Sequence, residues 1–193
     1  MHRIVPKKFY YRDPAVVARE LIGKLLVRDF NGRRLSCMVT ETEAYYGEWD
    51  PASRARRGGD LRRVMYGEPG VALVYGIHRQ WLLNIVAHEE GSGGAVLIRS
   101  CMPVEGADLM MKLRGACRQV DLTRGPGRLT RALCIDKSFH KKPVYKRDAG
   151  LWVEYYESWR KFSIARSHRI GVSEDLEKPL RFYVRDSKYV TRR

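Results

Sequence analysis

Hydrophobic and polar positions divide this chain into short strands and helices separated by Gly- and Pro-containing turns. Asp13-Pro14 opens the first helix, with Asp able to cap it and Pro suited to its first position. Val16, Val17 and Leu21 continue that helix, and Gly23 can close it in the left-handed conformation. Lys24 to Phe30 is rich in branched residues and reads as a strand. Asn31-Gly32 is a two-residue hairpin signal, so Arg33 to Glu43 returns as the partner strand. Strict alternation would place Leu35, Cys37, Val39, Glu41, Glu43 and Tyr45 on one face. That face starts apolar and ends in two carboxylates and a phenol.

Residues 46–69 are polar and punctuated by glycine and proline, which predicts a long loop carrying Arg54, Arg56, Arg57, Arg62 and Arg63. Val71 to Tyr75 and Trp81 to Ala87 are apolar runs joined by Gly76-Ile77-His78-Arg79-Gln80, a hairpin with a polar tip. Ala95 to Ile98 is a buried strand ending in Arg99. A helix over about 104–113 has Leu109, Met110 and Leu113 as its apolar stripe. A further helix over about 127–135 follows Arg124-Gly125-Pro126-Gly127, beside Arg128. Its first turn reads either as a phosphate seat or as an ordinary Gly/Pro-punctuated helix start. Leu180 to Arg185 is strand-like and is followed by a basic tail. No repeat or linker interrupts residues 1–193, which predicts one domain.

Charge changes this picture. Lys and Arg number 37 against 22 Asp and Glu, a formal net charge of +15. Arginine-rich excess favours phosphate contacts and points to nucleic acid as partner. A carboxylate presented by such a protein is badly placed for binding a polyanion and well placed for chemistry on one. Glu41 and Glu43 therefore read in two ways, as arginine-paired structural carboxylates or as site residues. The four cysteines show no CxxC spacing, which argues against a zinc or iron–sulfur site and for buried free thiols in a reducing compartment. With no signal-peptide core and no membrane-length apolar run, the expectation is a soluble intracellular monomer.

The chain has no GxSxG, no GxxxxGK[ST] and no deaminase zinc pattern. What remains is a carboxylate beside aromatics among arginines. That set suits a reaction in which water is the nucleophile and a carboxylate the general base. Hydrolysis of an N-glycosidic bond in DNA fits, with the base flipped out and stacked on aromatic rings.

Several segments resemble the alkyladenine (3-methylpurine) DNA glycosylase family, in that family's order. They include Leu21 to Arg28, Val39 to Tyr45, Asp50-Pro51-Ala52-Ser53, Pro69-Gly70, Tyr75-Gly76 with Asn84, Ala95 to Arg99, Gly125 to Leu133, Arg169 to Val172 and Arg181-Phe182-Tyr183. The resemblance implies a mixed α/β domain around a curved antiparallel sheet, with a protruding hairpin that inserts into the minor groove of duplex DNA. It implies Glu43 as the base that activates water, Tyr45 as a stacking aromatic, Asn84 as a pocket residue that excludes guanine, and Arg99 as a contact to the water or sugar-phosphate. It implies no metal, no cofactor and no lyase chemistry, with damaged purines in double-stranded DNA as substrate.

Two positions depart from the family pattern. Arg54 stands where the family carries a pocket histidine, and an inward arginine would disfavour cationic methylated purines and favour neutral deaminated ones. An outward one would reach a phosphate. Tyr75 matches either the family's wedge tyrosine or its second stacking tyrosine, depending on register. In the second case the wedge is Ile77, His78 or Arg79. Two other classes remain open from the sequence: a non-catalytic nucleic-acid-binding protein of the same fold, and a hydrolase of modified RNA bases.

Overall fold

The computed structural model describes residues 3–115, 118–157 and 162–191. Cys117 and the last two arginines lie outside them. The elements are α1 (Pro14–Leu21), β1 (Leu25–Phe30), β2 (Arg33–Tyr46), α2 (Gly59–Met65), β3 (Ala72–Ile77), β4 (Gln80–Val86), β5 (Gly94–Glu105), α3 (Ala107–Arg114), α4 (Pro126–Ala132), β6 (Leu151–Glu154), β7 (Ile164–Ser167) and β8 (Arg181–Val184).

All strands join one antiparallel sheet, in the order β3-β4-β5-β2-β1-β6. One edge of β2 pairs with β5 along nearly its whole length. Its other edge is divided. Residues 33–38 pair with β1, and Glu41 to Glu43 pair with β8, which pairs in turn with β7. β2 is thus the spine on which the sheet curls, and its last third is enclosed by strands on both sides.

Local signals explain the framework. The Asp13 carboxylate accepts the Ala15 and Val16 amides ahead of Pro14, as a helix cap should. Asn31 and Gly32 both adopt positive φ and close the β1–β2 turn. The buried side of α1 (Val17, Ala18, Leu21) joins Leu26, Leu35, Cys37, Val39, Ala44 and Ile98 in the main core.

The strict alternation expected along β2 does not hold. Its register against β5 shifts on both sides of Glu41. Before this irregularity Leu35, Cys37 and Val39 face the core beneath α1. After it Ala44 does so, and the Thr42 hydroxyl donates to the Ala18 carbonyl on α1 at 2.8 Å. Glu41, Glu43 and Tyr45 therefore point away from that core. A bulge of this kind re-aims side chains, and bulges concentrate near active sites.

Other expectations are corrected by packing. Residues 46–69 are not one loop: Arg54–Arg57 form a 3-10 turn, held where the Ser53 hydroxyl accepts the Ala55 amide, and α2 follows. α2 buries Val64 and Met65 against Ala55, Val71, Leu73, Val86 and Ala95, a second apolar cluster. The strand after the Gly91–Gly94 turn runs through Pro103 to Glu105, so the next helix starts at Ala107 rather than 104. α4 ends at Ala132, before Cys134 at positive φ, and Cys134 is only half-buried whereas Cys37 and Cys101 are buried.

Candidate active site

Glu43 sits near the end of β2 with 0% exposure and three partners. Its Oε1 accepts the Ile170 amide at 2.7 Å. Its Oε2 accepts the Tyr45 hydroxyl at 2.7 Å and Arg99 Nη1 at 3.3 Å. Burial pushes the Glu43 carboxyl above the ordinary glutamate value. Arg99, the Ile170 amide and Tyr45 all favour the charged form without cancelling that push. Tyr45 is held protonated by burial and by the adjacent carboxylate, so it is a donor to Glu43 and not a competing acid.

Glu41 is equally hidden, at 0% exposure, but far better satisfied. Its Oε1 accepts Arg181 Nε at 2.7 Å, Arg99 Nε at 3.1 Å and the Thr191 hydroxyl at 2.6 Å. Its Oε2 accepts the Thr191 amide at 2.8 Å. Burial is the largest single influence and would raise its pKa. Arg99, the two Thr191 donors and Arg181 together outweigh it and hold the carboxyl below its ordinary value. The arginine pairing expected for Glu41 is present.

In front of Glu43 opens a cleft of about 440 Å³, whose walls include Tyr45, Arg54, Tyr75, Ile77, His78, Leu82, Arg99 and Ile170 to Val172. The three residues that bond Glu43 all line this cleft, so the carboxylate lies directly behind its wall. Tyr45 is backed by Arg169, whose guanidinium carbon stands 4.6 Å from the ring centroid. Arg169 is itself clamped on Asp50 at 2.6 and 2.8 Å, on Asp175 at 2.7 Å, and on the Ala44 carbonyl at 3.0 Å. Neither Arg169 nor Ile170 was singled out as a site residue from the sequence. The family-like Arg169-Ile170-Gly171-Val172 segment was the available signal, but Ile170 bonds Glu43 through its backbone and carries no side-chain signature.

Tyr75 lies on the cleft wall near the end of β3, two residues short of the turn, with the Arg54 guanidinium 5.6 Å from its ring centroid. Burial raises its pKa against the nearby Arg54. Arg54 therefore points inward toward the aromatic wall. The five-residue tip expected for the hairpin is in fact a two-residue turn, His78-Arg79, since β3 continues to Ile77 and β4 starts at Gln80. Both turn residues hold positive φ (47° and 62°) without being glycine. That backbone costs about 1–3 kcal/mol per residue. His78 and Arg79 are exposed at the end of the ribbon, while Ile77 is half-buried in the cleft.

Two groups are placed differently from expectation. Asn84 is buried (2% exposed) and donates to the Leu73 carbonyl at 3.2 Å; it does not line the cleft itself but reaches it through a side-chain hydrogen bond with Tyr75. The phosphate seat before α4 has its groups engaged elsewhere. The Gly125 amide donates to Ser100 Oγ at 3.0 Å, and Arg124 and Arg128 are paired with Asp121 at 2.9 and 3.3 Å. Gly127 is buried beneath Gln80, whose side chain fills the space a Cβ would need. With Thr130 donating to the Trp81 carbonyl at 2.8 Å, this contact seats the hairpin on α4. That segment supports the ribbon, and only Pro126 of its first turn reaches the cleft.

Comparison with known proteins bears on this arrangement. The model of the methylpurine-DNA glycosylase family matches residues 8–188. The chain belongs to that family. A relative from Aeropyrum pernix, named "putative 3-methyladenine DNA glycosylase", is 56% identical over 100% of this chain and 95% of its own. Relatives with the same name from Desulfitobacterium hafniense and Carboxydothermus hydrogenoformans are 41% and 37% identical, over 96% and 98% of this chain and 97% and 100% of theirs. As a DNA glycosylase of this family, the protein has DNA as its substrate class. Its curled antiparallel sheet and helices agree with the family's fold. No described helix is long and apolar enough to cross a membrane. Among the described residues, no group of His, Cys, Asp and Glu is placed to hold a metal ion.

Proposed function

We propose that this glycosylase excises a damaged purine flipped from duplex DNA into the Tyr45–Tyr75 cleft, with Glu43 activating the attacking water. The observation that carries the reading is the state of Glu43. It is a fully buried carboxylate behind an aromatic cleft, and its pKa is raised toward the working range of a general base. Oε2 already accepts two donors, whereas Oε1 accepts one and keeps an acceptor position beside Ile170, on the cleft wall. A water bonded there is the proposed nucleophile for the sugar carbon of the flipped nucleotide. Arg99 holds the carboxylate in place and offsets its charge, and the Arg169-backed Tyr45 ring gives a flipped base a fixed surface to stack on.

Arg54 bears on the choice of base. A guanidinium against Tyr75 repels a cationic methylated purine and can donate to the carbonyl of a deaminated one. The favoured lesion class is therefore neutral, with hypoxanthine preferred over 3-methyladenine. At the ribbon tip, His78 or Arg79 fills the gap that the flipped nucleotide leaves, and Tyr75 serves as a wall of the pocket.

The test is incubation with duplexes carrying hypoxanthine, ethenoadenine or 3-methyladenine, each followed by alkali. Alkali-dependent strand breaks at the lesion are expected, with hypoxanthine released fastest. Breaks without alkali would contradict the hydrolytic, lyase-free reaction, and release from none of the three would overturn the reading.

A further inference from the structure

The protein is strongly basic, yet many of its arginines are committed to carboxylates. Arg12 pairs with Glu20, Arg33 with Asp108, Arg34 with Glu105 and Glu154, Arg62 with Glu48, and Arg169 with Asp50 and Asp175. Against that background, one groove away from the cleft collects cations without acids. It measures about 580 Å³, and Arg19, Arg166 and Arg185 stand around an apolar floor that includes Ile164 and Phe182. Among the described residues, no carboxylate lines it. None of the three arginines has a side-chain hydrogen bond or ion pair among the described residues, and Arg19 and Arg166 are exposed.

The sheet fixes which way the groove faces. Phe182 pairs across from Thr42, lies in the main core, and shares the side of α1. Arg166 pairs across from Phe182 and so takes the same side, and Arg19 comes from α1 itself. Glu43 and Tyr45 point to the other side of β2. A duplex engaged over the cleft and the ribbon tip therefore does not cover Arg19 and Arg166, and Arg185 joins the same groove just past the end of β8.

We infer that the Arg19–Arg166–Arg185 groove is a second, non-catalytic DNA site that grips the phosphodiester backbone of another duplex segment. Charge complementarity selects the occupant. Three guanidiniums suit phosphate oxygens, the apolar floor suits the intervening sugars, and the absence of lining acids disfavours a basic partner. The site lets the enzyme hold one stretch of DNA while its cleft interrogates another.

The experiment compares the wild type with a variant carrying Arg19→Ala, Arg166→Ala and Arg185→Ala. A control variant loses the same charge at exposed positions elsewhere, by Arg33→Ala, Lys112→Ala and Lys146→Ala. Sedimentation with a short undamaged duplex at low salt should give two duplexes per protein for wild type and control, and one for the groove variant. The logarithmic salt dependence of binding to a long undamaged duplex should flatten by about 2–3 in the groove variant alone. Single-turnover base release from a short lesion duplex should match wild type in all three proteins, which also reports that they are folded. One duplex per protein in the wild type, or equal salt slopes in the two variants, would overturn the second site. Impaired base release in the groove variant would also overturn it, by making the groove part of the lesion site. None of these readouts depends on the role given to Glu43.

Discussion

Glu41 and Glu43 stand two residues apart on one strand, equally hidden from solvent, and share Arg99, yet they are displaced in opposite directions from the ordinary glutamate pKa. The difference lies in how completely each is satisfied. Glu41 collects four donors from Arg99, Arg181 and Thr191, and they tie β5, β8 and the C-terminal segment to β2. Glu43 has three, each from a residue that also forms the cleft wall, and its burial is not fully compensated. One carboxylate is held as a fixed charge of the framework. The other is pushed above the ordinary glutamate value by burial that its donors do not offset. Burial alone does not decide how a carboxylate titrates, since the donors left for it after the fold is satisfied weigh against the burial.

The largest effect that can break this comparison is on chemistry. Glu43→Gln should lower single-turnover base release by about 10²–10⁴-fold, the range for loss of a general base, while duplex affinity is kept or increased. Release at the wild-type rate would assign the chemistry elsewhere. Glu41→Gln should act on the framework instead. Removing the buried charge leaves Arg181 and part of Arg99 unpaired, for a loss of about 3–5 kcal/mol in denaturant unfolding. Because the folded pKa of Glu41 is depressed, its contribution is present above the unfolded value and fades as pH falls through the folded one. The acid-unfolding profile of Glu41→Gln should therefore lack that loss, and an unchanged unfolding midpoint at neutral pH would remove the distinction between the two sites.

Smaller changes sharpen the contrast. Tyr45→Phe removes a donor that favours ionised Glu43 and so raises its pKa further. With Glu43 as the proposed base, the acid limb of single-turnover release should move to higher pH. A limb that stays in place would show that this bond does not tune the base. Arg54→His should have the smallest effect, shifting relative release from hypoxanthine toward 3-methyladenine by about tenfold, the low end for one changed contact in a pocket. An unchanged ratio in competition between the two lesions would show that Arg54 does not select the base.

The sequence made the β1–β2 hairpin plain, because Asp13-Pro14, Gly23 and Asn31-Gly32 are local signals that tertiary contacts do not override. Glu43 and Tyr45 could be singled out by chemistry and by resemblance, but for the wrong geometric reason. Simple alternation put them on the face of Leu35 and Val39, whereas the bulge around Glu41 turns them to the opposite side. A bulge is set by pairing with β5, a strand some sixty residues away, and leaves no mark on the period of β2. α2 was hidden by Gly58-Gly59 and by its arginines, and is identified only by the cluster that receives Val64 and Met65. The Ile170 amide and the Arg169 clamp were invisible as site groups for a similar reason: their value lies in where the fold carries them.

The most direct test of the central contrast is a carbon-13 NMR titration of the side-chain carboxyl groups, with Glu41→Gln and Glu43→Gln used to assign the two signals. The account predicts that Glu43 titrates above the ordinary glutamate range and Glu41 below it, in the same protein and the same sample. Titration of both at ordinary values, or in the reverse order, would contradict it.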